Sequence, residues 1–363
     1  MRITAAVLRA CDAPYRIEDA ELRDPGPGEV RVRIVAVGMC HTDVLPRVSG
    51  FLASPPIITG HEASGVVDAV GETVTDLIAG DHVVISFDSC RVCANCQSGH
   101  PAYCESFVTR NLTGVGVEGS GAVRDTAGMP IASRWFGQSS FASHAIAAAR
   151  NIVKVDPTIP LELLGPLGCG VLTGAGSILV ALGVDKGSSV AVFGAGSVGL
   201  SAVMAARVAG AATIVAVDRN RDRLQLAGEL GATHTFDANA PDLESELTRV
   251  TGGGPRYALD TTGVPSVIQT AVRVLRPTGI CGLVAAKQGD VVLDPNILAF
   301  GRTVTGILEG DAIPAVLIPQ LIQLWRQGRF PFDKLITTFP LQDINEAERA
   351  SIDGAVVKPV LIV

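Results

Sequence analysis

Hydrophobic and polar residues alternate in short runs over 30–37, 63–70 and 82–87, and glycine or proline interrupts the chain between them. That texture, held up to about Asn151, predicts an irregular β-rich domain. From Ser189 the period changes. An apolar strand over Ser189–Phe193 is followed by a helix through Ala209, a strand over 213–217, a helix ending near Leu230 and further alternations to about Leu308. Strand, helix, strand in this order predicts a parallel sheet with helices on both faces, hence an α/β fold. Beyond about Glu309 the pattern is mixed, with an apolar helix over 314–327 and a last strand over 357–363, and this tail is expected to return to the first domain. No internal repeat or low-complexity segment interrupts the scheme.

Composition narrows the function classes. The 363 residues suit two domains, each with its own core, and 47% hydrophobic with 18% charged residues excludes general disorder. A net charge of -7 without blocks of like charge offers no footprint for nucleic acid or an anionic membrane, so small molecules are the expected partners. No apolar run reaches the roughly 20 residues that span a bilayer, and the first residues lack an apolar core with a cleavage site. The expected location is the cytoplasm. Of the 8 cysteines, four fall close together between Cys90 and Cys104, which favours metal binding over a disulfide framework.

Three groups of residues carry chemistry. Gly194-Ala195-Gly196-Ser197-Val198-Gly199 follows the strand Ser189–Phe193 and opens a helix, where backbone N–H groups and the helix dipole can meet a pyrophosphate. Alone it could be a glycine turn without a ligand, but the next strand leads into Asp218, where a carboxylate accepts both ribose hydroxyls. An acid there repels a 2′-phosphate and favours NAD over NADP, although neighbouring Arg219 could serve such a phosphate. Cys90-x2-Cys93-x2-Cys96-x7-Cys104 supplies four soft ligands that close a tetrahedron, the pattern of a structural zinc. Cys40, His61 and Cys169 lie far apart in sequence, and each alone reads equally as a buried core residue. Together, two thiolates and an imidazole leave a fourth position for water or an alcohol oxygen, as catalytic zinc requires.

Gly60-His61-Glu62-Ala63-Ser64-Gly65, followed by Gly71, resembles the signature of zinc-containing medium-chain alcohol dehydrogenases, and the cysteine lobe and glycine motif follow in that family's order. Gly306-Ile307-Leu308-Glu309-Gly310-Asp311 and Gly328-Arg329-Phe330-Pro331-Phe332-Asp333-Lys334-Leu335-Ile336 look like its aryl-alcohol (benzyl alcohol) branch. The resemblance implies a GroES-like catalytic domain from 1–170 and 309–363, and a Rossmann dinucleotide-binding domain over 171–308. It also implies NAD and two Zn2+ per chain, one catalytic on Cys40, His61 and Cys169 and one structural in the cysteine lobe. Glu62 resembles the acid that approaches the metal during ligand exchange, and Asp43 the carboxylate that orients the ligand imidazole. Thr42 matches the hydroxyl that takes the alcohol proton and passes it to the cofactor ribose.

Further cofactor contacts implied by the resemblance are His41 and Lys358 at the pyrophosphate, Thr173 and Val198 at the nicotinamide, and Arg223. The family's relay can end in a histidine three residues beyond the hydroxyl, a position held here by Leu45, so water is expected to accept the proton directly from the ribose. Phe51, Phe87, Trp135 and Phe136 align with segments lining the family's substrate cleft, a concentration in a chain with 11 Phe, 2 Trp and 3 Tyr, although each alone could be core packing. An apolar pocket suits a primary aromatic, allylic or terpenoid alcohol of the benzyl alcohol or geraniol type. The competing readings are a physiological aldehyde reductase, a general aliphatic alcohol dehydrogenase, and a zinc- and dinucleotide-binding sensor, which would not need Cys40, His61 and Cys169 together. Edge strands near 303–308 resemble those that pair between subunits, so a homodimer or homotetramer is expected.

Overall fold

Burial alternates along the strand Glu29–Gly38, where Val30, Val32 and Ile34 are buried, so one face of the strand faces a core. The computed structural model describes residues 1–48, 51–117, 119, 121–285 and 289–363. In it the chain divides into two compact units: Met1–Cys169 with Ile313–Pro319 and Leu335–Val363, and Gly170–Ala312 with Gln320–Lys334.

In the first unit, strands run in the order Ile336–Pro340, Lys358–Ile362, Glu29–Gly38, Glu62–Val70, His82–Ile85 and Ile152–Lys154, and His144–Ala148 also pairs with Glu29–Gly38. A four-stranded sheet of Arg2–Leu8, Tyr15–Leu22, Val123–Asp125 and Pro130–Ile131 accompanies it. The runs expected over 30–37, 63–70 and 82–87 are the strands Glu29–Gly38, Glu62–Val70 and His82–Ile85. The last strand, Lys358–Ile362, pairs antiparallel with Glu29–Gly38, so the end of the tail lies in this unit's sheet, while Gln320–Lys334 belongs to the other unit.

The second unit is a six-stranded parallel sheet. Its strands are, in chain order, Ser189–Phe193, Thr213–Asp218, His234–Asp237, Tyr257–Asp260, Ile280–Leu283 and Thr303–Gly306, and they lie side by side as 3-2-1-4-5-6. This is the Rossmann order. Phe193, Val215, Val217, Leu247 and Leu275 belong to its core. The helix Ser197–Ala209 starts at Gly196 and stops at Gly210, whose left-handed φ of 81° ends it. The helix Arg221–Leu230 is capped by Asn220, whose side chain accepts the N–H groups of Asp222 and Arg223. The helix Gly170–Gly176 had no signal in the sequence: all seven of its residues are buried, so no polar face marks its period. Among the described residues no helix is long and apolar enough to cross a membrane.

Candidate active site

Strand register assembles the first site. In the antiparallel pair Glu29–Gly38 and Glu62–Val70, Gly38 lies opposite Glu62, so Cys40, just past one strand, meets His61, just before the other. On the other side Val360 pairs with Gly38, which carries Lys358 to the same end of the sheet. Cys169 arrives on the turn Gly165–Gly168; a Cβ on Gly165 would stand 2.5 Å from the Glu62 carbonyl oxygen, so only glycine allows this approach. The Gly168 carbonyl accepts a 2.6 Å hydrogen bond from Ser86 Oγ. Ligand atoms of Cys40, His61, Glu62 and Cys169 consequently lie within 4.8 Å of one another.

The donor set fits a metal ion. His61 Nε2 is buried without a hydrogen-bond partner, while Nδ1 is 2.8 Å from Asp43 Oδ1. Such an orphaned nitrogen, in a ring oriented by a carboxylate, is what a zinc-ligating histidine presents. Asp43 is buried and accepts further bonds from Gly60 N at 2.9 Å, Trp135 Nε1 at 3.0 Å and Cys40 N at 3.1 Å. The hydrogen bond from Cys169 pulls the Cys40 thiol well below its ordinary range; burial opposes this and the neighbouring His61 reinforces it. Burial disfavours a charge on His61, but Asp43 and Cys40 outweigh it and raise the imidazole. The fields that favour a proton on that imidazole equally favour a cation beside it.

Glu62 and Lys358 form a buried ion pair, with Nζ 2.9 Å and 3.0 Å from the two carboxylate oxygens and 3.0 Å from the Met39 carbonyl. Burial raises the Glu62 carboxyl to about 7 against the opposing charge of Lys358. Lys358, expected at the pyrophosphate, is 3% exposed, and its three donors meet three acceptors inside the first unit. Thr42 Oγ1 stands 3.6 Å from Cys40 Sγ, half-buried at the site, while His41 is exposed beside it.

The expected aromatic residues belong to one chain of ring contacts that reaches the imidazole through Phe136. Phe136 stacks on His61 at a centroid separation of 4.3 Å, Trp135 packs on Phe136 at 5.5 Å, and Phe51 on Trp135 at 6.1 Å. Phe87 joins through Phe107, whose ring is 6.2 Å from Phe136. Phe51 is half-buried, whereas the other four rings are buried. Sequence reasoning missed Phe107 and also Gln138, whose Nε2 donates to the carbonyls of His61 and Ser86. Neither carries a spacing signal, since both contacts depend on tertiary folding.

In the lobe, Cys90, Cys93, Cys96 and Cys104 form the second cluster of ligand atoms within 4.8 Å of one another. Backbone N–H groups of Val92 and Cys93 point at Cys90 Sγ, and that of Cys90 points at Cys104 Sγ. Such donors stabilise thiolates, and they help to lower the Cys90 and Cys104 thiols. None of the eight cysteines is in a disulfide.

On the second unit the glycine motif forms a cradle. Gly194 has φ 95°, and a Cβ on Gly199 would stand 1.8 Å from the Gly194 carbonyl, so both must be glycine. A Cβ on Gly196 would meet nothing within 4 Å, leaving open space where the helix Ser197–Ala209 presents its first N–H groups without a side-chain cap. Asp218 Oδ2 accepts from Ala195 N at 2.6 Å and Oδ1 from Asn220 N at 2.8 Å, which fixes the carboxylate beside the cradle with lone pairs to spare. Val198 is half-buried in the motif, and Arg223 sits in the first turn of the helix Arg221–Leu230. Buried Thr173 donates to Glu309 Oε2 at 3.4 Å. The residues present therefore fit a dinucleotide.

A β-rich unit with two clusters of metal-ligand type and a Rossmann unit with a phosphate cradle define the class of metal-dependent, nucleotide-linked dehydrogenases. The alcohol dehydrogenase GroES-like domain family matches residues 26–157, and the zinc-binding dehydrogenase family matches residues 197–325. Geraniol dehydrogenase from Castellaniella defragrans is 46% identical over 362 residues, covering 99% of this chain and 97% of the relative. Among solved structures, an alcohol dehydrogenase zinc-binding domain protein from Burkholderia ambifaria superposes with a TM-score of 0.98 at 49% identity, over 100% of this chain and 99% of the other. Benzyl alcohol dehydrogenase from Acinetobacter calcoaceticus superposes with a TM-score of 0.96 at 41% identity, with the same coverage. The chain belongs to the zinc-binding alcohol dehydrogenases of the medium-chain dehydrogenase/reductase family, and is an oxidoreductase.

Proposed function

We propose that the enzyme interconverts bulky apolar primary alcohols, of the aromatic, allylic or terpenoid type, and their aldehydes, with NAD as the hydride acceptor. The observation that carries this reading is the convergence of Cys40, His61 and Cys169 with His61 Nε2 left for a metal. Its substrate class is supported by the apolar ring of Phe136 on that imidazole, by half-buried Phe51 in the same cluster of rings, and by relatives named for geraniol and benzyl alcohol. Cys40, His61 and Cys169 would hold one zinc and the four lobe cysteines a second. When bound, the catalytic zinc would supply Lewis acidity at the alcohol oxygen, and the nicotinamide would take up the hydride from the adjacent carbon.

The chain's own groups do the rest. Thr42, beside Cys40, receives the hydroxyl proton and hands it on; Leu45 cannot titrate, so the proton leaves to water. Asp43 holds the His61 ring by Nδ1. Glu62 is held by Lys358 within reach of the ligand atoms, ready to share in ligand exchange. Gly194, Gly196 and Gly199 admit the pyrophosphate, with His41 as a further contact, and Asp218 binds the ribose hydroxyls with Arg223 nearby. Thr173 and Val198 would pack against the nicotinamide, and the strand Thr303–Gly306, last in its sheet, would pair two copies into a homodimer or dimer of dimers.

Metal analysis tests the core of the reading. The two clusters should hold two zinc ions per chain, and Cys169→Ser should retain one and lose alcohol oxidation. A single zinc in the wild type, or full activity in the variant, would contradict it.

A further inference from the structure

One turn, residues 134–140, touches His61 in two ways and its carboxylate partner Asp43 in a third. Trp135 Nε1 donates to Asp43, the Phe136 ring lies on the imidazole face with an interplanar angle of 23°, and Gln138 Nε2 donates to the His61 carbonyl at 3.0 Å. The turn is tight, with φ 49° at Phe136, 67° at Gly137 and 53° at Ser139. Non-glycine residues seldom adopt such angles, and they persist only where the surroundings hold them. Here Ser139 Oγ accepts Trp135 N at 2.8 Å, and Ser140 Oγ donates to Gln138 Oε1 at 2.7 Å.

Trp135 is 0% exposed, so it presents no surface to a substrate. Its polar atom instead reaches a carboxylate that is itself 1% exposed. Asp43 Oδ1 carries the bonds of Gly60 N, His61 Nδ1 and Trp135 Nε1; the first is backbone, the second is the ring being oriented, and the third is the one further side chain. Without the indole, a buried anion would lose a donor and gain freedom to turn about its Cβ–Cγ bond.

We infer that Trp135 is a positioning residue for the catalytic metal site: its indole N–H fixes Asp43, and through Asp43 the rotation of the His61 ring. The inference rests on the reading of Cys40, His61 and Cys169 as zinc ligands. A phenylalanine at 135 could retain the ring packing against Phe51 and Phe136 but not the hydrogen bond.

The test is the rate at which the full-length holoenzyme releases zinc to a colorimetric chelator. The release phase missing from Cys169→Ser belongs to the catalytic site, and the remaining phase, that of the lobe, serves as an internal control. Trp135→Phe is expected to speed the catalytic phase by roughly 10- to 100-fold, the cost of losing such an outer partner. The lobe phase should be unchanged, and the melting temperature should stay within about 4 °C of the wild type. An unchanged catalytic phase, or a general acceleration of both phases with a large fall in melting temperature, would overturn the inference. Absence of a Cys169-dependent zinc in the wild type would instead overturn the ligand assignment beneath it. A second readout needs no variant at 135. The chain has 2 Trp, and Trp325 Nε1 bonds to Asp333 in the other unit. In a 1H–15N spectrum, removing the catalytic zinc should shift the indole signal of Trp135 and leave that of Trp325; a Trp135 signal indifferent to that zinc would also overturn the inference.

Discussion

Thr42 tests the chemistry at the scale of one hydroxyl. Its Oγ1 lies 3.6 Å from Cys40 Sγ, and Leu45, one turn on, offers no proton acceptor. Thr42→Val keeps the shape and removes the hydroxyl, so kcat should fall by roughly 10²- to 10⁴-fold with zinc content intact, while Thr42→Ser should keep most of the rate. Equal rates for valine and threonine would remove Thr42 from the proton path. Spacing makes the lobe legible in the sequence alone, whereas Cys40, His61 and Cys169, far apart along the chain, are read as one set through the family resemblance. Lys358 is not legible in that way: 296 residues separate it from Glu62, and only the strand register shows that its donors are used there. Trp135 is legible as an aromatic residue near the site but not as a hydrogen-bond donor to Asp43, because its direction is set by the turn that holds it.

At the scale of elements, the turn that carries Trp135 and Phe136 is tied to the main sheet by an ion pair. Arg134 bonds to Glu29 at the start of the strand Glu29–Gly38 and donates to the Ile146 carbonyl at 3.1 Å. Burial alone would raise the Glu29 carboxyl, but the hydrogen bond from Arg23, the charge of Arg134 and the Gly26 N–H outweigh it and hold the group at about 2. A carboxyl whose folded pKa lies below its unfolded value stabilises the fold above the unfolded value, and that contribution fades as pH falls toward the folded one. Glu29→Gln should therefore melt below the wild type at pH 7, with the gap closing between pH about 5 and about 2. A gap independent of pH over that window would show that the charge of Glu29 contributes nothing. Strands such as Glu29–Gly38 are readable because alternate burial leaves an alternating sequence. The helix Gly170–Gly176 is not, because a helix buried all round has no polar period.

For the whole molecule, the change from alternating runs to strand–helix repeats marks the two kinds of fold, and the pattern of the tail cannot show how it is shared. Residues of the helix Pro314–Arg326 are divided between the units at Pro319, where a proline inside the helix removes a backbone donor. The proposed choice of substrate and cofactor also belongs to this scale, since it joins the apolar surroundings of Cys40, His61 and Cys169 to the role proposed for Asp218. An initial-rate survey of benzyl alcohol, geraniol, ethanol and a polyol, each with NAD and NADP, tests the central claim most directly. The account predicts kcat/KM with NAD for geraniol or benzyl alcohol about 100-fold or more above that for ethanol, the worth of several buried methylenes at about 0.8 kcal/mol each, and a clear loss with NADP. Preference for ethanol or the polyol, or equal efficiency with NADP, would contradict it.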